Sequence, residues 1–236
     1  MKRPASPILV VSVICLAACT GSLFKSKAAP PTVYLLSAGP APPGPSQPAS
    51  ETPGSEIPAD LAVLKPRLSP GLESDRMAVR YPDRRLDYFA ETRWSGPLGE
   101  VLQDLAVQEF HSHARLRTVS GDASVFASAY WLEIEVTDFQ AEYESGSTPP
   151  TVHVHLLARI GTSGDRKILG QIVANAQRQA GENRLTSIVD AFAHAADAAL
   201  AEVVAHTSEI LAKDSEARKD LEARKDSEAR KESEAR

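Results

Sequence analysis

"YWLEIEVTDFQAEYESGSTPPTVHVHLLARI", residues 130–160, decides the fold. In its first half Leu132, Ile134 and Val136 share one side of an extended chain, and Glu133, Glu135 and Thr137 share the other. In its second half Val152, Val154, Leu156, Ala158 and Ile160 alternate with His153, His155 and Arg159. Period-two alternation marks a strand with one buried face, because successive side chains leave opposite sides of a pleated backbone. The intervening "YESGSTPP" (143–150) is made of turn formers, so the two strands read as an antiparallel hairpin. A third apolar run, "KILGQIVANAQ" (167–177), follows a second turn, "GTSGDR" (161–166). Three such strands predict an antiparallel meander covered on one side only.

The cover comes from either flank. Upstream, Ser95 precedes Gly96-Pro97-Leu98 as a potential N-cap, and Leu98, Val101, Leu102, Leu105 and Ala106 recur at helical spacing. The spacing predicts a helix over 96–112. Downstream, Leu185, Ile188, Val189, Phe192, Ala196, Ala199 and Val203 follow the same period and predict a second helix over 184–211. Shorter strand candidates are "LAVLKPRL" (61–68) and "DRMAVRY" (75–81). The expected fold class is α/β, a two-layer sandwich of a mostly antiparallel twisted sheet with two helices on one face.

The ends of the chain read differently. Lys2 and Arg3 precede the uncharged apolar run Ile8 to Ala18. That run has the length of a signal-peptide core, roughly 7–15 residues, and falls short of the ~20 that span a bilayer. The string Leu16-Ala17-Ala18-Cys19 resembles the lipobox of bacterial lipoproteins. In that reading residues 1–18 are a lipoprotein-type signal peptide that takes Cys15 with it, and Cys19 carries covalent lipid. Residues 19–31 become a lipidated tether with an r.m.s. span of roughly 20 Å. The domain itself is read as 32–211. "TVYLL" (32–36) pairs back onto a strand, and a Pro-rich insertion, 38–60, is expected to be extended or disordered. Residues 212–236 form a charged tail repeating "DSEARK", and residues 213–236 hold eight basic and eight acidic side chains. The tail is composed of helix formers with pairs such as Glu216–Lys219 at helical spacing. Its six-residue period drifts around a helix and builds no coiled-coil seam.

Composition limits the chemistry. Loss of Lys2 and Arg3 with residues 1–18 takes the formal charge from −5 to −7, and no basic stripe is present for a nucleic acid. With only Cys15 and Cys19 in the chain, the mature protein has no disulfide framework. The sequence holds no Gly-x-Ser-x-Gly elbow and no Gly-x-x-x-x-Gly-Lys phosphate loop. His153 and His155 point to one side of a strand, whereas His111 and His113 fall at a helix end. Neither pair has the further ligands that complete a metal site. No metal, no cofactor beyond the covalent lipid, and no enzymatic activity are expected. Trp94, just ahead of the first helix, reads as a buried anchor or, alternatively, a partner-binding aromatic.

Taken in order, the lipobox ending at Cys19, "YLL" at 34–36, "MAVRYPDRRLDYFAETRW" (77–94), "PLGEVLQDLAVQEF" (97–110), "WLEIEVTDFQAEY" (131–143) and the closing amphipathic helix resemble the ABC-type transport auxiliary lipoproteins. The resemblance spans about residues 16–210 of this sequence. The Pro-rich stretch looks longer than the family's usual connection, and the charged tail is no part of the family pattern. The resemblance implies a non-enzymatic outer-membrane lipoprotein, lipid-anchored and facing the periplasm, in an ABC-type lipid transport system. Implied partners are a periplasmic protein with mammalian-cell-entry domains and its ABC transporter. Phospholipid and a second copy of the chain are further candidates. Thr20 after the cysteine, rather than Asp, favours the outer membrane within that resemblance. Candidate partner-binding residues are Trp94, Glu133, Glu135, His153, His155 and Arg159. The competing readings are a periplasmic-facing lipid carrier and a structural envelope lipoprotein.

Overall fold

A computed structural model describes residues 30–36, 57–121, 127–144 and 149–234. The signal segment, Cys19, nearly all of the tether and residues 38–56 of the Pro-rich stretch lie outside them. The elements run β1 (Thr32–Tyr34), β2 (Ile57–Val63), β3 (Arg67–Leu68), β4 (Ala78–Arg80), β5 (Leu86–Tyr88), β6 (Thr92–Trp94), α1 (Leu98–His113), β7 (Leu116–Ser120), β8 (Tyr130–Glu142), β9 (Thr151–Thr162), β10 (Ile168–Gln179) and α2 (Leu185–Glu234).

The meander is the backbone of the fold. β8 pairs antiparallel with β9 from Tyr130↔Thr162 to Glu142↔Thr151, and β9 pairs antiparallel with β10. The alternation in β9 is unbroken, with Val152, Val154, Leu156, Ala158 and Ile160 all buried. β8 is not a simple strand. Its register shifts between Val136 and Asp138, so Thr137 is an extra residue and the inward parity changes from even to odd. Phe139 and Ala141 are buried after the shift, as Leu132, Ile134 and Val136 are before it. A bulge of this kind keeps both halves of a long strand facing one core.

The expectation of a mostly antiparallel sheet is corrected by the other edge of β8. There β2, β3 and β4 follow one another alongside it, each parallel. β2 pairs in parallel with β7 as well, and β1 with β6 in a separate two-stranded sheet. Among the described residues five strand pairings are parallel and three antiparallel. Residues 57–80 track β8 in the same direction in three short stretches, and Pro66, which has no N–H to donate, lies in the gap between β2 and β3. β2 begins at Ile57, inside the stretch read as the 38–60 insertion. Pro58 falls within its register shift against β7, where a missing donor is tolerated.

Both helices bury their apolar faces in one core. Leu98, Leu102, Leu105 and Phe110 come from α1, and Ile188, Phe192, Leu200 and Val203 from α2. Pro97, not Ser95, is the N-cap of α1 and offers no side-chain bond. The Leu98 N–H donates instead to the Ser74 carbonyl at 3.2 Å. Trp94 packs edge-on to Phe139 (6.0 Å) and Phe192 (5.3 Å), tying β6, β8 and α2 together. α2 does not stop near residue 211 but runs on as helix through Glu234.

Candidate functional site: the open face of the sheet

With both described helices on the inner side, the outer side of β8, β9 and β10 is left to polar residues. Five of the sequence candidates meet there. Glu133 pairs directly with Arg159 across the ladder. The Glu133 carboxylate accepts from Arg67 at 2.5 Å and lies 3.8 Å from the Arg159 Nε. Arg159 also donates to Glu135 Oε2 at 3.2 Å. One row further along, Leu157 pairs with Val173, and Val173 is 50% exposed, which gives the face an apolar centre. Beyond it His155 sits opposite Asp138 and His153 opposite Gln140. Thr137 Oγ1 lies 2.5 Å from His155 Nδ1, and His153 Nε2 lies 3.9 Å from Glu142 Oε2. Glu142 is held in turn by Arg80 at 2.5 Å.

The bulge at Thr137 makes this one surface. By changing parity it turns Asp138, Gln140 and Glu142 to the same side as Glu133 and Glu135. Those residues, with Arg67, Arg80 and Leu157, were missed by periodicity alone. The polar doublet Thr137-Asp138 between buried Val136 and Phe139 was the available signal. At the far end Trp131 lies against Gly161, its register partner, and its indole N–H donates to the Thr162 carbonyl at 3.0 Å.

Trp94 is elsewhere. At 2% exposure it is part of the core, so the ring offers no surface to a partner and serves as the anchor ahead of α1. The two histidine pairs remain apart, His113 Nδ1 lying 3.0 Å from Glu109 Oε2 on its own helix. Among the described residues no group of three or more His, Cys, Asp or Glu side chains is placed to hold a metal ion.

The charges that shift lie off this face. Burial, opposed by His113 and reinforced by Asp197, pushes the Glu109 carboxyl above the usual carboxylate range. The hydrogen bond from Arg117 holds Asp60 below it. Tyr130 is pushed up to about 12 by burial and by its hydrogen bond to Asp214. On the open face the guanidinium partners are partly exposed while Glu133 and Glu142 are largely covered, and pairs open to solvent on one side contribute only about 0–1 kcal/mol each. They are therefore exchangeable: a partner can take over a carboxylate or a guanidinium at little cost to the fold.

The described residues thus present an open sheet face on a helix-backed domain, with charged and apolar side chains next to one another. The sequence matches the model of the ABC-type transport auxiliary lipoprotein component over residues 34–206. This chain belongs to that family, an auxiliary component of transport rather than a known enzyme family. As a lipoprotein family it implies a membrane-anchored place in the cell envelope. No curated protein matches the sequence. Among solved structures, protein XCC0632 from Xanthomonas campestris is similar at 23% identity and a TM-score of 0.65, covering 78% of this chain and 99% of its own. An uncharacterised protein is similar at 15% identity and a TM-score of 0.51, covering 66% of this chain and 95% of its own. Both likenesses are of fold. The tail begins beyond the family match.

Proposed function

We propose that this protein is the outer-membrane, periplasm-facing lipoprotein subunit of an ABC-type lipid transport system, and that it docks the envelope-spanning, mammalian-cell-entry-domain component. Cys19 carries the lipid. Two or three acyl chains on one residue hold a protein at a membrane where a single chain binds only marginally. The observation that carries the docking role is the open face: an apolar centre at Leu157 and Val173 rimmed by Glu133, Glu135, Arg159, His153 and His155. An apolar centre with a polar rim is the anatomy of protein interfaces.

One void beneath the sheet favours docking over carriage of lipid between sheet and helices. The void between sheet and helices, lined by Leu102, Ile134, Val136, Phe139, Leu156 and Leu200 among others, has a volume of about 10 Å³. That is room for one water, not for an acyl chain.

The test is capture of partners by the full-length lipidated chain in mild detergent, with proteins and lipids both identified by mass spectrometry. Recovery of a mammalian-cell-entry-domain protein with its ATPase is expected. The variant Glu133→Lys/Glu135→Lys/Arg159→Glu is expected to lose at least tenfold of that recovery while staying folded. Phospholipid recovered in stoichiometric amount without protein would replace docking with carriage. Wild-type recovery by the charge-reversed variant would move the docking surface elsewhere.

A further inference from the structure

Among the described residues, the last buried one of α2 is Leu211. One turn later the helix is fastened to the domain. The Tyr130 hydroxyl donates to Asp214 Oδ2 at 2.7 Å, and Arg218 Nε donates to the same oxygen at 2.7 Å. The Arg218 guanidinium also lies 5.4 Å from the Tyr130 ring centroid. Past Arg218, every side chain with a described environment is exposed as far as Lys231, including Leu221 at 56%. The backbone nevertheless stays helical through Glu234.

A helix that is polar all round holds its shape only through pairs along its own surface. The repeat places them. Asp214 and Arg218 are bonded, and Asp220 and Arg224 stand at the same i,i+4 spacing, acid first, the favoured order. Glu216–Lys219 and Glu228–Lys231 add i,i+3 pairs. At about 100° per residue each six-residue repeat is turned by about 240° from the last, so the charges are spread around the rod. No stripe forms for a second helix, and the balanced charge of the tail gives a membrane or a nucleic acid nothing to attract.

The direction in which the rod leaves follows from the registers. β1, where the described chain begins, pairs with β6 from Thr32↔Thr92 to Tyr34↔Trp94, and Trp94 touches Phe139. The clamp is at Tyr130, nine residues back along β8, or ~30 Å at a strand's rise. α2 begins beside the far end of β8, where Tyr143 donates to Asn183 at 2.7 Å, and finishes at the Tyr130 end.

We propose that residues 219–234 are a free-standing helical strut, rooted by the Tyr130–Asp214–Arg218 clamp, that carries Glu234 ~24 Å beyond the domain on the side opposite β1. Its function is spacing: it sets a fixed, non-adhesive reach between the domain and whatever meets its tip. The proposal requires neither the lipid nor the transport partner.

Spin-label distances on the full-length chain test it, in a background of Cys15→Ser and Cys19→Ser. The pair Ala205→Cys/Lys231→Cys is expected to give one narrow distance near 39 Å, the helical rise over 26 residues. A broad distribution centred near ~28 Å, the value for helix to Arg218 followed by coil, would overturn the strut. The pair Val33→Cys/Lys231→Cys is expected beyond ~50 Å, and a value under ~30 Å would show the helix folded back. Adding Tyr130→Phe and Asp214→Asn is expected to broaden the second distance and leave the first narrow. A second distance that stays narrow would place the root elsewhere.

Discussion

Gly161 shows how one missing side chain positions a surface. A Cβ there would lie 2.4 Å from the Trp131 ring and 2.8 Å from the Lys167 carbonyl. Its absence lets the indole lie across the neighbouring strand and reach the Thr162 carbonyl. Gly161→Ala is expected to cost about 1–3 kcal/mol of stability by overpacking, read as a lower urea midpoint at unchanged slope. In a Trp131→Ala background the cost should shrink but persist, because the Lys167 carbonyl remains. Equal costs in both backgrounds would show that the backbone, not the indole, sets the limit. Glu109 gives the pH counterpart. Only 4% exposed and facing the Asp197 charge, its carboxyl binds a proton more tightly in the folded chain than in the unfolded one. The stability that goes with a raised carboxyl pKa is present below the unfolded value, about 4.3, and is lost as pH rises through the folded value. Glu109→Gln lacks this loss. It is expected to unfold at higher urea than the parent at pH 7, with the difference closing as pH falls to about 4. A difference that persists at pH 4 would mean that His113 or packing, not proton binding, is responsible.

At the scale of the element, β8 decides most. Its thirteen residues outlast the straight run of an ordinary strand, and the extra residue at Thr137 keeps the two halves in phase with one core. Deleting Thr137 restores strict alternation with Leu132, Ile134, Val136, Phe139 and Ala141 all on the inner side. The buried set is kept, so the deletion is expected to leave a folded domain with a cooperative thermal transition. Loss of that transition would show that the bend the bulge puts into β8, and not only the phase it corrects, is needed to close the core. The bulge was legible in principle, since two polar residues in a row interrupt the alternation at Thr137-Asp138. Of the short strands, β1, β3 and β4 fall within the candidates at 32–36, 61–68 and 75–81, whereas β5 and β6 were not legible. Each has three residues, too few for any period to register, and they exist because β4 and β1 offer a ladder beside them.

Across the whole molecule, the two faces of the sheet have separate duties. The inner face with α1 and α2 makes the stability, closed by the Trp94–Phe139–Phe192 cluster. The outer face contributes little to stability, because its charge pairs are open to solvent on one side. Charge reversal at Glu133, Glu135 and Arg159 therefore separates binding from folding: the expected loss of partner capture should come with an unfolding midpoint close to the parent's. A large drop in that midpoint would assign the same residues a structural role. Trp94 is the converse, a residue whose loss from the core would be felt everywhere and whose surface role the packing removes.

The meander, both helices, the apolar and polar sides of β9 and the family resemblance were all legible in the sequence, because each depends on residues a few positions apart. A buried face imposes its period on neighbours in the chain, and a single strand or helix records it. What only the tertiary structure decided is which distant stretches become neighbours. The parallel pairing of β2, β3 and β4 on β8, the parity change that gathers Glu133 and Glu142 on one face, the burial of Trp94 and the rooting of the tail at Tyr130 all join residues tens of positions apart. No local period encodes such contacts. They are set by which arrangement buries the apolar faces together while leaving every interior backbone group a partner.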